Sequence, residues 1–157
     1  MSKRIIIGPG YPLRGGISES NEGLCDYFQE NNQDCKIVSY SLQYPNFLFP
    51  GKQQTIENVT CVRNHTISLI NTINPLSWIK SIKWIIANNP DYVIVRYWHP
   101  YFSICLSFIL SFLNKRSIFV IAWIDNIFPH ESVPLQNFLT NYFAKALIHE
   151  EKYYRSV

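Results

Sequence analysis

The sequence has little charge and almost no imbalance between the two signs. Charged residues make up 16% of the 157 residues, and 14 basic against 11 acidic side chains leave a formal net charge of +3. So small an excess does not indicate nucleic acid as the main partner. The apolar fraction of 47% is ordinary for a globular protein, and it excludes a disordered or acidic-tail protein.

Long uninterrupted apolar segments are absent as well. The longest, residues 101–113, is broken by serines, and as a helix it spans about 20 Å, short of a hydrocarbon core of about 30 Å. It therefore predicts a buried helix. Near Met1, the apolar run Ile5–Ile7 stops at Gly8-Pro9, too soon for the apolar region of a secretory signal, so no signal peptide is expected.

The four cysteines, Cys25, Cys35, Cys61 and Cys105, lie far apart and form no Cys-x-x-Cys pair. This spacing gives neither a metal-binding pattern nor a disulfide framework. We therefore expect buried free thiols and a reducing compartment, the cytoplasm.

The sequence does have a regular alternation of short apolar strands and helices. Strands apolar throughout, alternating with helices, predict one domain built on an open, parallel, Rossmann-like α/β sheet with helices on both faces. The expected strands are residues 3–7, 35–41, 55–62, 92–95, 117–122 and 146–148; the expected helices are residues 17–31, 75–88, 101–113 and 134–144, with a last one from 151.

Helix-start signals accompany two of these helices. Asn74 followed by Pro75 predicts an N-cap with proline in the first turn. Ser18 and Asn21 offer capping groups for the first helix.

Ligands of parallel α/β sheets bind beyond the carboxyl ends of the strands. The unusual residues of this chain are expected there, in four groups: the Gly15-Gly16 loop, Arg96 to His99, Asp125-Asn126, and His149-Glu150. Gly15-Gly16 ahead of a helix suits a phosphate or diphosphate, but a tight strand-to-helix turn explains it equally well.

The other three groups have alternative interpretations too. Arg96 to His99 could hold a hydroxylated ligand, or its aromatic rings could simply pack over the sheet edge. Asp125 could accept bonds from sugar hydroxyls or act as a base, or it could cap its own turn. His149-Glu150 has no metal-ligand spacing and is better interpreted as a helix start.

The segment from Trp78 to Ile86 is a basic amphipathic helix. We expect Ile79, Ile82 and Ile86 on its buried face and Lys80, Lys83 and Trp84 away from that face. Covering the sheet is the favoured role of this helix. A peripheral contact with an anionic membrane is the second one, together with the apolar helix 101–113.

Taken in order, these segments resemble the N-terminal, acceptor-side domain of a family 4 glycosyltransferase of the GT-B fold. The resemblance covers nearly the whole chain. It is carried by Ile5-Ile6-Ile7-Gly8-Pro9, residues 11–17 (Tyr-Pro-Leu-Arg-Gly-Gly-Ile), residues 39–45 (Ser-Tyr-Ser-Leu-Gln-Tyr-Pro), Phe49-Pro50-Gly51-Lys52, residues 96–100 (Arg-Tyr-Trp-His-Pro), Asp125-Asn126, Pro129-His130-Glu131 and Ile148-His149.

The resemblance implies a transferase of surface polysaccharide synthesis, which moves a sugar, with retention, from a nucleotide-sugar to a glycan or a lipid-linked acceptor. It implies no resident cofactor and no divalent metal. It makes the Gly15-Gly16 loop with Arg14 the part that approaches the donor diphosphate, and it makes Asp125 the catalytic residue. The other implied substrate-binding residues are Arg96, Trp98, His99, Asn126 and His149.

Two features depart from the family pattern. The family often has a His where this chain has Asp125, and that His usually contacts the sugar, so donor choice or activity is altered by the Asp. The donor-binding domain, with its pair of glutamates, does not fit within 157 residues. We therefore expect a domain of a longer enzyme that is inactive alone.

Two other function classes stay open from the sequence. One is a flavodoxin-like binding module without transfer chemistry, which would bury its own sheet edge. The other is a nucleotide-dependent oxidoreductase, which is weaker because Leu13 stands where the third glycine of the dinucleotide fingerprint belongs.

Overall fold

The fold is a five-stranded, all-parallel sheet with helices on both faces, as the computed structural model shows for residues 2–45, 55, 63–126 and 135–148. The strands stand in the order β3-β2-β1-β4-β5. In chain order the elements are β1 (Lys3–Ile7), α1 (Gly16–Glu30), β2 (Asp34–Leu42), β3 (Thr66–Asn71), α2 (Pro75–Asn88), β4 (Tyr92–Tyr97), a 3₁₀ turn (Pro100–Phe102), α3 (Ser103–Asn114), β5 (Phe119–Ile124) and α4 (Gln136–Ile148).

The two faces of the sheet carry unequal layers. α1 alone packs on one face, over a small cluster that includes Ile6, Ile37 and Ile94. α2, α3 and α4 cover the other face and enclose the main core, which includes Tyr97 and Phe102. The predicted Rossmann-like α/β domain with helices on both faces is thereby confirmed.

The central strands are buried on both faces because they lie between these layers. Ile5, Ile6 and Ile7 are each 2% exposed or less, and so are Val93 and Val95. The edge strand β5 is different. Phe119, Ile121 and Trp123 point to the side of α1 and are exposed, whereas Val120 and Ala122 pack against the main core.

The structure corrects one predicted strand and adds one that the sequence did not predict. Residues 146–148 belong to α4, because Phe143, Ala146 and Leu147 repeat at helical spacing and pack toward the main core. β3 was not expected at Thr66–Asn71. In the segment 55–62 only Thr55 lies within the described residues, where it bridges Leu13.

Two helix predictions are settled by the contacts. Asn74 caps α2 by accepting from the Leu76 amide, as expected. The buried side of α2 consists of Trp78, Ser81, Ile82 and Ile85; Ile79 is 39% exposed, so its expected burial is wrong. Among the described residues, no helix combines the length and the apolar character needed to cross a bilayer.

Candidate functional site

The strand order of the sheet reverses between β1 and β4. From β1 the chain runs outward through β2 to β3, and it then returns to place β4 on the opposite side of β1. The loops that leave β1 and β4 therefore part at their carboxyl ends. Such a switch point is where open α/β sheets bind their ligands.

The loop after β1 is held close to the sheet by its first glycines. The Gly8 amide donates to the Val38 carbonyl, and the Gly10 amide donates to Ser39 Oγ at 2.9 Å. A Cβ on Gly8 would lie 3.0 Å from Cγ of Arg96. Glycine at this position therefore makes room for the Arg96 side chain.

The same loop ends in an open helix terminus. Gly15, at φ 120°, is the N-cap of α1, and a Cβ on Gly15 or Gly16 would meet nothing within 4 Å. The expected capping by Ser18 and Asn21 is wrong. Ser18 Oγ donates to the Leu13 carbonyl and Asn21 Nδ2 to the Pro9 carbonyl, so both side chains anchor the loop rather than the helix.

This geometry leaves the first amides of α1 uncovered by any side chain of the cap residue. Free N–H groups at the start of a 15-residue helix carry a partial positive charge. Arg14, exposed directly before Gly15, adds a full charge at the same place. Glu19 in the same first turn offsets part of this charge, so the free amides themselves are the groups that favour an anion here.

Arg96 and Asp125 form a buried ion pair at the end of β4. Arg96 is 2% exposed; its Nε donates to Asp125 Oδ2 at 3.0 Å and its Nη2 to Oδ1 at 2.6 Å. Its guanidinium also stacks on the ring of Trp123, 4.3 Å from the centroid, and lies 3.5 Å from Ser20 Oγ. Strand β5 thus supplies the aromatic face, and the residue directly after it supplies the counter-charge.

The Asp125 side chain remains 24% exposed, so the pair is reached from solvent on its carboxylate side. Both carboxylate oxygens bind the guanidinium, and their remaining lone pairs can accept further hydrogen bonds. The pair can therefore orient a hydroxyl-bearing ligand while Arg96 itself stays covered. Asn126 follows Asp125 and is partly buried.

Trp98 and His99 lie on the other face of the sheet. Trp98 packs 4.2 Å from the ring of Phe102 and donates through Nε1 to the Tyr44 hydroxyl. His99 Nδ1 accepts from the Tyr101 amide at the start of the 3₁₀ turn. The four residues expected to act as one loop are thus divided, with Arg96 on the side of α1 and Trp98 with the main core.

The environment of His99 also affects its charge. Burial lowers the pKa of the imidazole below its ordinary value of 6.5. A neutral ring agrees with the Nδ1 contact, because a protonated Nδ1 could not accept the Tyr101 amide hydrogen.

Sequence reasoning missed Glu22, which is 8% exposed and anchors the glycine loop. Its Oε1 accepts from the Tyr11 amide at 2.7 Å and from Thr66 Oγ1 at 2.8 Å, and its Oε2 lies 2.6 Å from His65 Nε2. The only signal was a carboxylate on the inner side of the first helix. Its partners come from distant segments, so the sequence did not reveal them.

Some predicted residues lie outside the described residues: His149 with Glu150, and Pro129 to Glu131. Within the described ranges, no cluster of three or more His, Cys, Asp or Glu side chains could hold a metal ion. The expected thiols Cys25, Cys35 and Cys105 are buried and unpaired; Cys61 is not among the described residues.

Neither of two comparisons with known proteins found a relative of the chain. No protein-family model matches the chain, and no curated protein matches it significantly.

Proposed function

We propose that the chain is the acceptor-side domain of a GT-B glycosyltransferase, working at the cytoplasmic side in surface polysaccharide synthesis. The observation that carries the proposal is the meeting of three elements at the β1/β4 switch point. These are the open start of α1 behind Gly15-Gly16, the Arg96–Asp125 pair, and the partly exposed ring of Trp123. The sequence resemblance supplies the class of reaction.

In this proposal, the first backbone amides of α1 contact the donor diphosphate. A nucleotide-sugar carries its charge on the diphosphate, and exposed amides with Arg14 beside them attract it. A side chain at position 15 or 16 would stand between these amides and the phosphate oxygens. The proposal therefore assigns the two glycines a role in close approach rather than only in chain reversal.

In this proposal, the Asp125 carboxylate accepts a hydrogen bond from the acceptor hydroxyl. Bidentate pairing with a buried arginine fixes the carboxylate in one orientation, and its exposed side can accept a hydroxyl hydrogen. Arg96 then acts through Asp125 and has no direct contact with the substrate. Trp98 and His99 line the edge on the opposite face, so they contact a different part of a long acceptor.

The test uses the polypeptide translated from the complete reading frame that encodes this chain. It is incubated with radiolabelled UDP- and GDP-hexoses in the presence of oligosaccharide or polyprenyl-phosphate-linked acceptors, and transfer is followed by chromatography. The expected result is transfer from one donor with retained anomeric configuration. Neither transfer nor donor hydrolysis with any pair would overturn the proposal.

Two aspartates allow a matched comparison within that assay. Asp125→Asn should lower kcat at least tenfold, because the neutral amide loses the charge that pairs with Arg96 and has one acceptor oxygen where the carboxylate has two. Asp91→Asn, at the amino edge of the sheet, should leave kcat unchanged, since the described residues that donate to Asp91 are Ser2 and the Lys3 amide, far from the candidate site. Binding of a saccharide without any transfer would favour the flavodoxin-like module.

A further inference from the structure

The glycine loop, residues 8–16, is held at its middle by a charged side chain and is open at its end. The Tyr11 amide donates to Glu22 Oε1 at 2.7 Å. Four residues later the loop reaches Gly15, where a Cβ on this residue or on Gly16 would meet nothing within 4 Å. The direction in which the open end points therefore depends on how the middle of the loop is held.

Glu22 is itself fixed by the segment that enters β3. Thr66 Oγ1 donates to its Oε1 at 2.8 Å, and His65 Nε2 lies 2.6 Å from its Oε2. Arg63 Nε lies 3.9 Å from the same Oε2. The Glu22 side chain is only 10% exposed, so its carboxylate depends on these partners more than on water. One carboxylate thus joins α1, the glycine loop and the start of β3.

Gly10 leaves the space that this carboxylate needs. A Cβ at this position would lie 2.9 Å from Glu22 Oε1. Gly10 does not have a positive φ, whereas Gly15 does. What the chain uses at Gly10 is therefore the missing side chain, not the conformational freedom of glycine, and the position is shaped around Glu22.

Holding the middle of the loop matters for ligand binding because glycine-rich segments lose much conformational freedom when they become ordered. Amides that must still be ordered when a ligand arrives bind it more weakly than amides already in place. Contacts made on folding meet this cost beforehand. A tie at Tyr11 therefore raises the affinity of the amides that follow Gly15, although it lies outside their reach.

We propose that Glu22 is a positioning residue: it holds the glycine loop so that the first amides of α1 face the donor diphosphate. This inference rests on the proposed function and deepens it. It also predicts a sign that charge alone would reverse. A carboxylate near an anion repels it, so by charge alone the loss of Glu22 would strengthen diphosphate binding. As a positioning residue, Glu22 strengthens that binding without touching the ligand.

A titration of the 157-residue chain with inorganic pyrophosphate measures this sign, with the amide signals of Gly16 and Ile17 followed by NMR. Glu22→Ala should weaken binding about tenfold, the factor that one hydrogen bond to a charged group contributes to the population of the held loop. Glu22→Gln removes the same charge but keeps an oxygen that accepts from the Tyr11 amide, so it should retain most of the affinity.

Glu19→Gln is the matched control for charge. Glu19 is an exposed carboxylate in the first turn of the same helix. Its removal takes away repulsion near the first amides, so it should strengthen pyrophosphate binding. Opposite effects of Glu19→Gln and Glu22→Ala separate positioning from electrostatic attraction.

Hydrogen exchange of the ligand-free chain tests the hold on the loop directly. In Glu22→Ala, exchange at the Tyr11 amide should rise at least about tenfold more than exchange at the Ile94 amide of the central strand β4. A general loss of stability would raise both alike. Thr66→Val removes one donor to the carboxylate and leaves loop and helix intact. It should give a smaller change in the same direction, and it decides the question if Glu22→Ala does not fold.

The inference is overturned if Glu22→Ala binds pyrophosphate as tightly as the wild type, if the Ala and Gln variants act alike, or if exchange at Tyr11 rises no more than at Ile94. Transfer by the complete polypeptide combined with any of these results would leave the glycosyltransferase proposal standing without this role for Glu22. Pyrophosphate binding that depends on Glu22, combined with no transfer, would keep the positioning role and end the proposed function instead.

Discussion

Removing the Asp125 carboxylate should destabilise the protein through the cation it leaves behind. In Asp125→Ala, Arg96 keeps its charge at 2% exposure, and the partners that remain to it among the described residues are the Trp123 ring and the distant Ser20 hydroxyl. Breaking a buried pair in this way costs about 3–5 kcal/mol. Because the Asp125 side chain is 24% exposed and water can enter its place, we expect a smaller cost, about 2–3 kcal/mol.

A double-mutant cycle measures whether this cost belongs to the pair. Arg96→Met removes the charge and keeps an apolar stem against Trp123. In Arg96→Met/Asp125→Ala no buried charge remains, so the loss should be smaller than the sum of the single losses by at least about 1 kcal/mol. Urea unfolding at pH 7 gives the free energies. Additivity within about 0.3 kcal/mol would refute the coupling and, with it, the orientation assigned to Asp125.

Three further predictions concern the loop, the edge and the thiols. Gly10→Ala should lower the free energy of unfolding in urea by about 1–3 kcal/mol, because its Cβ would lie 2.9 Å from Glu22 Oε1. Gly23→Ala is the control: it lies in mid-helix with nothing within 4 Å, so it should stabilise the protein by about 0.5–1 kcal/mol. Equal effects of the two substitutions would contradict the close packing at Gly10. Burial lowers the pKa of His99 in the folded protein, so stability that the neutral ring provides above pH 6.5 is lost as the pH falls from 6.5 toward this lowered pKa. Between pH 7.5 and 5.5, His99→Gln should therefore lose less stability than the wild type. Identical pH profiles of the unfolding free energy would contradict this prediction. Burial raises the pKa of Cys105 to about 12, so native protein at pH 8 should show no iodoacetamide adduct at Cys105 by mass spectrometry until urea is added.

The sheet was predictable because its central strands are short, apolar and bounded by glycine, proline or asparagine. β1 and β4 contain continuous apolar runs without alternation, as strands buried on both faces do, and the sequence predicts both. β3 was not predicted, because it lies at an edge of the sheet. Its pairing with β2 shifts register between Ser39 and Leu42, and such an irregularity interrupts the period of two by which half-buried strands are recognised.

The sequence could predict the position of the candidate site at the carboxyl edge of the sheet, but not the side-chain contacts within it. Parallel strands bring their carboxyl ends to one edge, so the positions of Gly15, Arg96 and Asp125 follow from the fold class. Which side chains meet depends on the face to which each one points. The strand continues to Tyr97 rather than ending before Arg96, and the turn at Trp98 then sends the indole to the other face.

The ion pair gives a physical reason for the residue at position 125. By resemblance, a His often stands there and contacts the sugar. An imidazole has one nitrogen on each side of its ring, so it cannot accept two parallel hydrogen bonds from the Arg96 guanidinium, and a protonated one would repel it. With Arg96 buried, the position needs a carboxylate for the folded state itself. Asp125 therefore belongs with Arg96 as one unit: the carboxylate neutralises the buried cation first and meets a ligand with its exposed side. Under the proposed function, this exposed side accepts the hydrogen of the acceptor hydroxyl.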